Sequence, residues 1–131
     1  TSDHRIFVSF YARGVYYYDE NGKKLGSYTT DNSPLTNNYV MDLMEYKGKV
    51  WLATDGGGIN LVDLESGEFS FLSHTTGDPA SLPGNSIIRL YKDYNGHLWI
   101  GSVRGGAIHV KESYIRTYQD VILNQKAFEC L

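Results

Sequence analysis

The chain has little of what stabilises many small secreted domains or carries a protein through a membrane. Cys130 is the single cysteine among 131 residues, so no intrachain disulfide can form. No apolar run approaches the roughly 18 to 20 residues that span a bilayer, and the amino terminus TSDHRIFVSF lacks the long apolar stretch of a signal peptide. We therefore expect that this chain does not insert into a membrane and that any export signal or anchor lies outside it.

The sequence also has no excess of positive charge. It contains 12 Lys and Arg residues against 15 Asp and Glu residues, with a formal net charge of -3 and a pI of about 5.7. Nucleic acids and anionic membrane surfaces are bound by clustered cationic residues, so neither is expected as a partner. Aromatic residues and glycine are abundant instead: 11 Tyr, 5 Phe, 2 Trp and 14 Gly. Because aromatic residues favour strands and glycine favours tight turns, the composition predicts an all-β fold.

The sequence repeats itself. VWLATDGGGINLVD at residues 50–63 matches LWIGSVRGGAIHVK at residues 98–111, with the two tryptophans 48 positions apart. The segments upstream also match, and a fainter copy, RIFVSFYARGVYYYD, begins at Arg5 with Phe7 in place of tryptophan. A period in the forties is typical of the four-stranded blades of β-propellers.

Alternation of apolar residues and turn chemistry divide each repeat into short antiparallel strands. In the second unit we predict four strands, at 39–46, 49–54, 59–63 and 68–73. In the third unit we predict four strands, at 87–93, 97–102, 107–111 and 114–119. In the first unit we predict only three strands, at 5–10, 14–19 and 24–30. They correspond to the second, third and fourth strands of the other units.

These strands predict a β-propeller fragment of about two and three-quarter four-stranded blades. The predicted divisions are an incomplete blade at 1–36, complete blades at 37–83 and 84–120, and a tail at 121–131 that leads to a downstream region. Because propellers close with roughly four to eight blades, we expect the remaining blades of a larger parent protein as partners. Exposed blade edges also predict self-association, and a strand at 121–123 could pair with the first unit or another copy.

One face of such a fragment is the better candidate for binding. In an up-and-down blade, the turns between the second and third strands emerge on the same face as the long connectors between blades, here residues 29–38 and 73–85. Loops on a rigid scaffold commonly carry function. The candidate ligand-binding residues on this face are Arg13, Asp55, His74, Asp78 and Arg104.

The side chains on this face suit a saccharide. Aspartate, asparagine, arginine and aromatic residues bind neutral glycans, and an anionic glycan would additionally favour Arg13 and Arg104. Each candidate also has a purely structural interpretation, since Asp55 and Arg104 lie in turns. Asn38 and Asn85, which recur before the first strand of a blade, can satisfy backbone groups of the connectors.

Two recurring residue types are better explained by architecture than by a ligand. Trp51 and Trp99 are predicted to pack between neighbouring blades, with each indole N–H finding a partner. Gly58 recurs as Gly14 and Gly106, where glycine permits a tight turn and a close backbone approach. The run DGGG is therefore predicted to be a turn and not a phosphate-binding loop, because no helix follows it.

No enzyme or metal motif is present. The four histidines are scattered without metal-ligand spacing, and no G-x-S-x-G, H-E-x-x-H or P-loop lysine occurs. The run Asp93–Gly96 begins like a calcium loop but lacks the closing glutamate, so it is interpreted as a hairpin turn. The sequence predicts no catalytic residue, no metal and no cofactor. A polysaccharide-active propeller enzyme stays as the less favoured alternative.

The repeated pattern resembles the regulator-type propeller repeat of bacterial hybrid two-component sensors. The pattern is N-x-V/I-x-x-L, then G-x-L/V-W-I/L-G/A-T/S, then G-G-x-I. Its residues in the second unit are Asn38, Val40, Leu43, Gly48, Trp51, Thr54, Gly57 and Gly58. Its residues in the third are Asn85, Ile87, Leu90, Gly96, Trp99, Ser102, Gly105 and Gly106. The resemblance covers roughly residues 5–121.

In that family two propellers and an immunoglobulin-like domain form a periplasmic sensor that recognises glycan fragments. A transmembrane helix links it to a histidine kinase, a receiver and a DNA-binding module, which switch on genes for polysaccharide use. The resemblance implies a periplasmic part of an inner-membrane-anchored sensor, with an oligosaccharide ligand and no enzyme activity in this chain. The alternative is a purely structural or protein-interaction segment.

Overall fold

The computed structural model describes residues 1–110 and 128–130, which form three antiparallel sheets and contain no helix. Sheet 1 consists of β1 (Ile6–Phe10), β2 (Gly14–Tyr18) and β3 (Lys24–Tyr28). Sheet 2 consists of β4 (Val40–Tyr46), β5 (Lys49–Thr54), β6 (Ile59–Asp63) and β7 (Phe69–Leu72). Sheet 3 consists of β8 (Ile87–Lys92), β9 (Leu98–Ser102), β10 (Gly106–Val110) and β11 (Phe128–Cys130). Apart from β11, neighbouring strands in each sheet follow chain order. The predicted all-β class is confirmed.

The observed strands match the predicted ones closely, since β1 to β10 each begin and end within two residues of the predicted bounds. The predicted strands at 114–119 and 121–123 lie outside the described residues. The position beside β10 is taken by β11, in the register Ile108 with Cys130 and Val110 with Phe128. No strand was predicted at residues 128–130. An open edge of a sheet can pair with any extended segment that reaches it, so the repeat pattern alone does not identify the partner.

The middle sheet is buried on both faces, and this explains the continuous apolar run in β5. Successive side chains of a strand point to opposite faces. Val50, Leu52 and Val62 pack in one cluster with Val15 of sheet 1 and Leu35. Trp51, Ala53, Ile59 and Leu61 pack in a second cluster with residues of sheet 3, among them Leu98 and Ile100. The core therefore consists of two apolar layers between three sheets.

The two tryptophans occupy equivalent positions in different surroundings. Trp51 is 2% exposed and packs edge-on against Tyr46 in the layer between sheets 2 and 3, which confirms its predicted packing between blades. Trp99 is only partly buried, because the alternation of β9 turns it away from that layer. Its indole N–H donates to the Asp93 carboxylate at 3.0 Å. This hydrogen bond lowers the pKa of Asp93.

Aspartate side chains fix hairpin turns at the end of the sheets opposite the connectors between blades, as in the turn between β6 and β7. Asp63 Oδ1 accepts hydrogen bonds from the backbone N–H groups of Glu65 and Ser66, and its Oδ2 lies 3.1 Å from Lys49 Nζ. The hydrogen bond from Ser66, assisted by Lys49, lowers the pKa of Asp63 to about 2.

Since the described residues contain no helix, none of them forms a helix that could span a membrane.

Candidate functional site

The turns and connectors predicted to share a face do lie together. We define connector 1 as residues 29–39, connector 2 as residues 73–86, and the connector face as the surface they form with the turns at 11–13, 55–57 and 103–105. The backbone N–H of Asp55 donates to Tyr39 O at 2.9 Å, and that of Val103 donates to Ser86 O at 3.1 Å. Each of these two turns is therefore attached to the connector that enters its own blade.

Asn38 and Asn85 attach each blade to the one before it. The carbonyl of Asn38 accepts a hydrogen bond from Gly14 N, and the carbonyl of Asn85 accepts one from Gly58 N, at 2.9 and 2.8 Å. The side-chain oxygens act in parallel, since Asn38 Oδ1 accepts from Thr30 N and Asn85 Oδ1 from His74 N. These contacts support the structural interpretation of both asparagines.

Glycine is required at the turns that lead into β2 and β6. Gly14 and Gly58 have φ angles of 74° and 73°, a region that other residues rarely adopt. A Cβ atom would lie 2.3 Å from the carbonyl oxygen of Tyr28 at the first position and of Leu72 at the second. The predicted close backbone approach is thus present at both positions.

Connector 1 covers its own turn with polar side chains. The Thr36 hydroxyl donates to Gly57 O at 2.9 Å and accepts from Asn60 Nδ2 at 2.7 Å. The Asn37 side chain donates to Asp55 O at 2.9 Å. The surface above the second blade is therefore closed by hydrogen bonds within the protein.

Connector 2 leaves the corresponding surface open. Pro83 and Gly84 stand where connector 1 has Thr36 and Asn37. A Cβ atom on Gly84 would come no closer than 3.7 Å to Ser102 Oγ, so there is room for a side chain that the sequence does not supply. The result is a cleft of about 230 Å³, which we call the junction cleft. It is lined by His74, Pro83, Gly84, Asn85, Ser86, Ser102 and Arg104.

A second depression adjoins the junction cleft along the loop between His74 and Pro83, and its volume is about 430 Å³. Several hydrogen bonds fix this loop, two of them made by His74 and Asp78. His74 Nδ1 lies 2.7 Å from Leu82 O, so Nδ1 carries the proton and Nε2 is left for another partner. Asp78 Oδ1 accepts a hydrogen bond from Ala80 N at 2.9 Å. The loop is thus shaped by its own polar groups.

Four of the five predicted ligand-binding residues lie in this region. His74 lines both depressions, Asp78 lines the larger one and Arg104 lines the junction cleft. Asp55 lies beside it, where its carboxylate accepts a hydrogen bond from the Ser86 hydroxyl. Arg13 is separate from the other four. It lies in a groove on the open face of sheet 1 with Phe10, Tyr16, Tyr18 and Lys24.

Sequence reasoning missed the residues that create the space. Gly84, Ser86 and Ser102 line the junction cleft but carry no chemistry that marks them as a site. The available signal was the difference between the two connectors, because Thr36-Asn37 and Pro83-Gly84 align between otherwise matching segments. Among the described residues, no group of three His, Cys, Asp or Glu could hold a metal ion.

Comparison with known proteins finds a family model that matches part of the third repeat. Residues 81–104 match the model of the two component regulator propeller family. This segment contains every residue that lines the junction cleft except His74. No curated protein matches the sequence.

Solved structures give the wider context. The extracellular domain of a protein described as the hybrid two component system BT3049 from B. thetaiotaomicron is 26% identical, with a TM-score of 0.67 over 83% of this chain and 14% of that one. The extracellular domain of BT4673 from the same organism, described likewise, is 18% identical, with a TM-score of 0.68 over 86% of this chain and 16% of that one. At 18% identity, the similarity to BT4673 shows only that the two proteins share a fold. The resemblance to regulator propellers is confirmed, and the chain spans about one seventh of the length of the first of these structures.

Proposed function

We propose that this chain is part of the extracytoplasmic ligand-sensing propeller of a two-component signal transduction protein. In this proposal the parent protein is anchored in the inner membrane, detects glycan fragments in the periplasm and regulates polysaccharide utilisation. The main support is that the segment matching the regulator propeller, residues 81–104, also forms most of the junction cleft.

The chemistry of the junction cleft favours binding over catalysis. Most glycoside hydrolases use two carboxyl groups on either side of the scissile bond, and the residues that line this cleft include none. The cleft instead combines an arginine, an amide, hydroxyls and a proline ring, which are groups that orient a saccharide. We infer that this chain is not itself an enzyme.

Calorimetry with the 131-residue chain and a panel of neutral and acidic oligosaccharides tests the glycan proposal. We expect saturable binding of at least one glycan and weaker binding after Arg104→Ala, with Arg13→Ala as a matched control far from the cleft. If no glycan in the panel binds, this segment does not form the glycan site, and the structural alternative is favoured. If one binds and both variants retain full affinity, the ligand contacts lie elsewhere in the chain than at Arg104.

The exposed face of sheet 1 supports a second role, in assembly. Ile6, Val8 and Phe10 are 49%, 36% and 42% exposed and lie on one side of β1. We propose that this face packs against a neighbouring blade of the parent protein and that isolated copies of this chain self-associate through it. Light scattering should show oligomers that Val8→Lys reduces to monomers. A monodisperse monomer of the unmodified chain would contradict the self-association.

A further inference from the structure

We propose that the junction cleft selects acidic saccharides by binding a carboxylate or sulfate group of the sugar. This inference rests on the proposed function, since it names the class of glycan that the site accepts. It follows from three differences between two structurally equivalent places, the junction cleft and the closed surface above the second blade.

The first difference is space. At the closed surface the Asn37 side chain reaches the turn and donates to Asp55 O. At the junction cleft the equivalent residue is Gly84, and no other described side chain fills the gap. Together with the adjoining depression, with which it shares His74 and Pro83, the cleft falls within the range of roughly 300–1,000 Å³ that is typical of small-molecule sites.

The second difference is charge. The turn of the second blade has Gly56 where the turn of the third has Arg104. The Arg104 guanidinium makes no ion pair or hydrogen bond with the described residues, and its side chain is exposed. The nearby carboxylate of Asp55 keeps its negative charge while it accepts a hydrogen bond from the Ser86 hydroxyl, so Arg104 is the residue that brings positive charge to the lining of the cleft. A guanidinium at the wall of a cleft is suited to paired hydrogen bonds with a carboxylate or a sulfate.

The third difference is an unused amide. Asn38 Nδ2 donates to the Thr30 hydroxyl at 2.9 Å, which satisfies that side chain within the protein. His74 stands at the position equivalent to Thr30, and its ring is turned to Leu82 O. Asn85 Nδ2 therefore has no acceptor among the described residues, while Asn85 Oδ1 is held by His74 N. The cleft thus presents amide N–H donors beside Arg104, and a ligand rich in acceptors is the natural complement.

Calorimetry at low ionic strength should compare trigalacturonate, a sulfated galactose trisaccharide and a neutral galactose trisaccharide. We expect one of the acidic probes to bind at least about tenfold more tightly than the neutral one, with a preference that decreases at high salt because salt screens the charge interaction. Arg104→Ala should lower the affinity for the preferred acidic probe to the affinity for the neutral probe. Arg13→Ala, which changes the same charge outside the cleft, should leave all three affinities unchanged.

A second variant tests whether the saccharide binds in the junction cleft, and it leaves the proposed binding residues Arg104 and Asn85 in place. Gly84→Asn copies the residue of connector 1, and the space around Gly84 accommodates its Cβ atom. We expect this variant to keep its melting temperature and to lose at least about tenfold in affinity for every probe.

The outcomes separate the two proposals. Equal or tighter binding of the neutral probe, or acidic binding that survives both Arg104→Ala and Gly84→Asn, overturns the acidic selectivity of this cleft and leaves glycan sensing intact. Failure of all three probes and of the wider glycan panel overturns glycan binding by this segment and the present inference with it.

Discussion

Connectors 1 and 2 link successive blades through the same backbone contacts, but they differ in the side chains that they place over the turns. In both, an asparagine carbonyl binds a glycine N–H of the preceding blade. Connector 1 then closes the surface with Thr36 and Asn37, whereas connector 2 places Pro83 and Gly84 there. The recurring residues thus maintain the blade stack, and the residues that vary between blades determine whether a cleft is available to a ligand.

Gly14 and Gly58, which recur at the turns that lead into β2 and β6, should have the largest effect on stability. Gly58→Ala forces a side chain into a left-handed conformation and brings a Cβ atom 2.3 Å from Leu72 O, so the free energy of unfolding should decrease by more than about 3 kcal/mol. The matched control is Gly106→Ala. Gly106 has a φ of 67° but no described atom within 4 Å, so the loss there should be only about 1 to 2 kcal/mol. Equal losses in urea unfolding would show that backbone conformation, not close approach, makes glycine necessary.

Asn38 and Asn85 occupy equivalent positions but should contribute differently to the free energy of unfolding. Asn38→Ala removes two side-chain hydrogen bonds, to Thr30 N and to the Thr30 hydroxyl, and should cost about 2 kcal/mol. Asn85→Ala removes the one to His74 N and should cost about 1 kcal/mol. Urea unfolding of the two variants measures the difference directly. A greater loss for Asn85→Ala would mean that its amide has a partner in the folded chain.

Much of the fold could be predicted because the repeat fixes it. Glycine at 58 recurs at 14 and 106, apolar alternation marks the strands, and turn residues separate them. The buried state of both faces of β5 was also implied by the run VWLA once blades were assumed to stack. The identity of β11 was not predictable, because a three-residue segment far along the chain carries no repeat signal and only its hydrogen bonding to β10 defines it as a strand.

The site was harder to predict because it depends on what is missing from connector 2. Chemistry alone selects Arg13 and Arg104 equally. Their alignment differs, however: Arg13 is equivalent to Gly105, and Arg104 is equivalent to Ala12. Within the turn, a shift of one residue changes the direction in which the side chain leaves the backbone, and Arg13 lies against the open face of sheet 1. The repeat register therefore carries information that residue type does not.

Asp63, in the turn between β6 and β7 and away from both connectors, allows a test of how ionisation affects stability without affecting the cleft. The lowered pKa of Asp63, about 2, means that its ionised form stabilises the fold above its unfolded pKa of about 4. This contribution is lost as the pH falls through 2. Asp63→Asn should cost about 1 kcal/mol at pH 7, less than the full shift implies because the group is partly solvated and screened. The difference between variant and parent should disappear between pH 4 and pH 2 in thermal unfolding, without a change in ligand affinity at pH 7. A constant difference across this range would exclude ionisation as its cause.

The smallest effect on stability should come from the residue with the largest expected effect on binding. Arg104 is exposed and has no partner among the described residues, so Arg104→Ala should change the free energy of unfolding by less than about 0.5 kcal/mol. Asp55, the other charged residue predicted for this face, is the comparator. Its carboxylate is bound by Ser86, so Asp55→Ala should cost about 1 kcal/mol. Urea unfolding of both variants, measured without ligand, distinguishes them. A loss for Arg104→Ala equal to that for Asp55→Ala would assign the arginine to the architecture of the junction, because a side chain available to a ligand contributes nothing to stability in its absence.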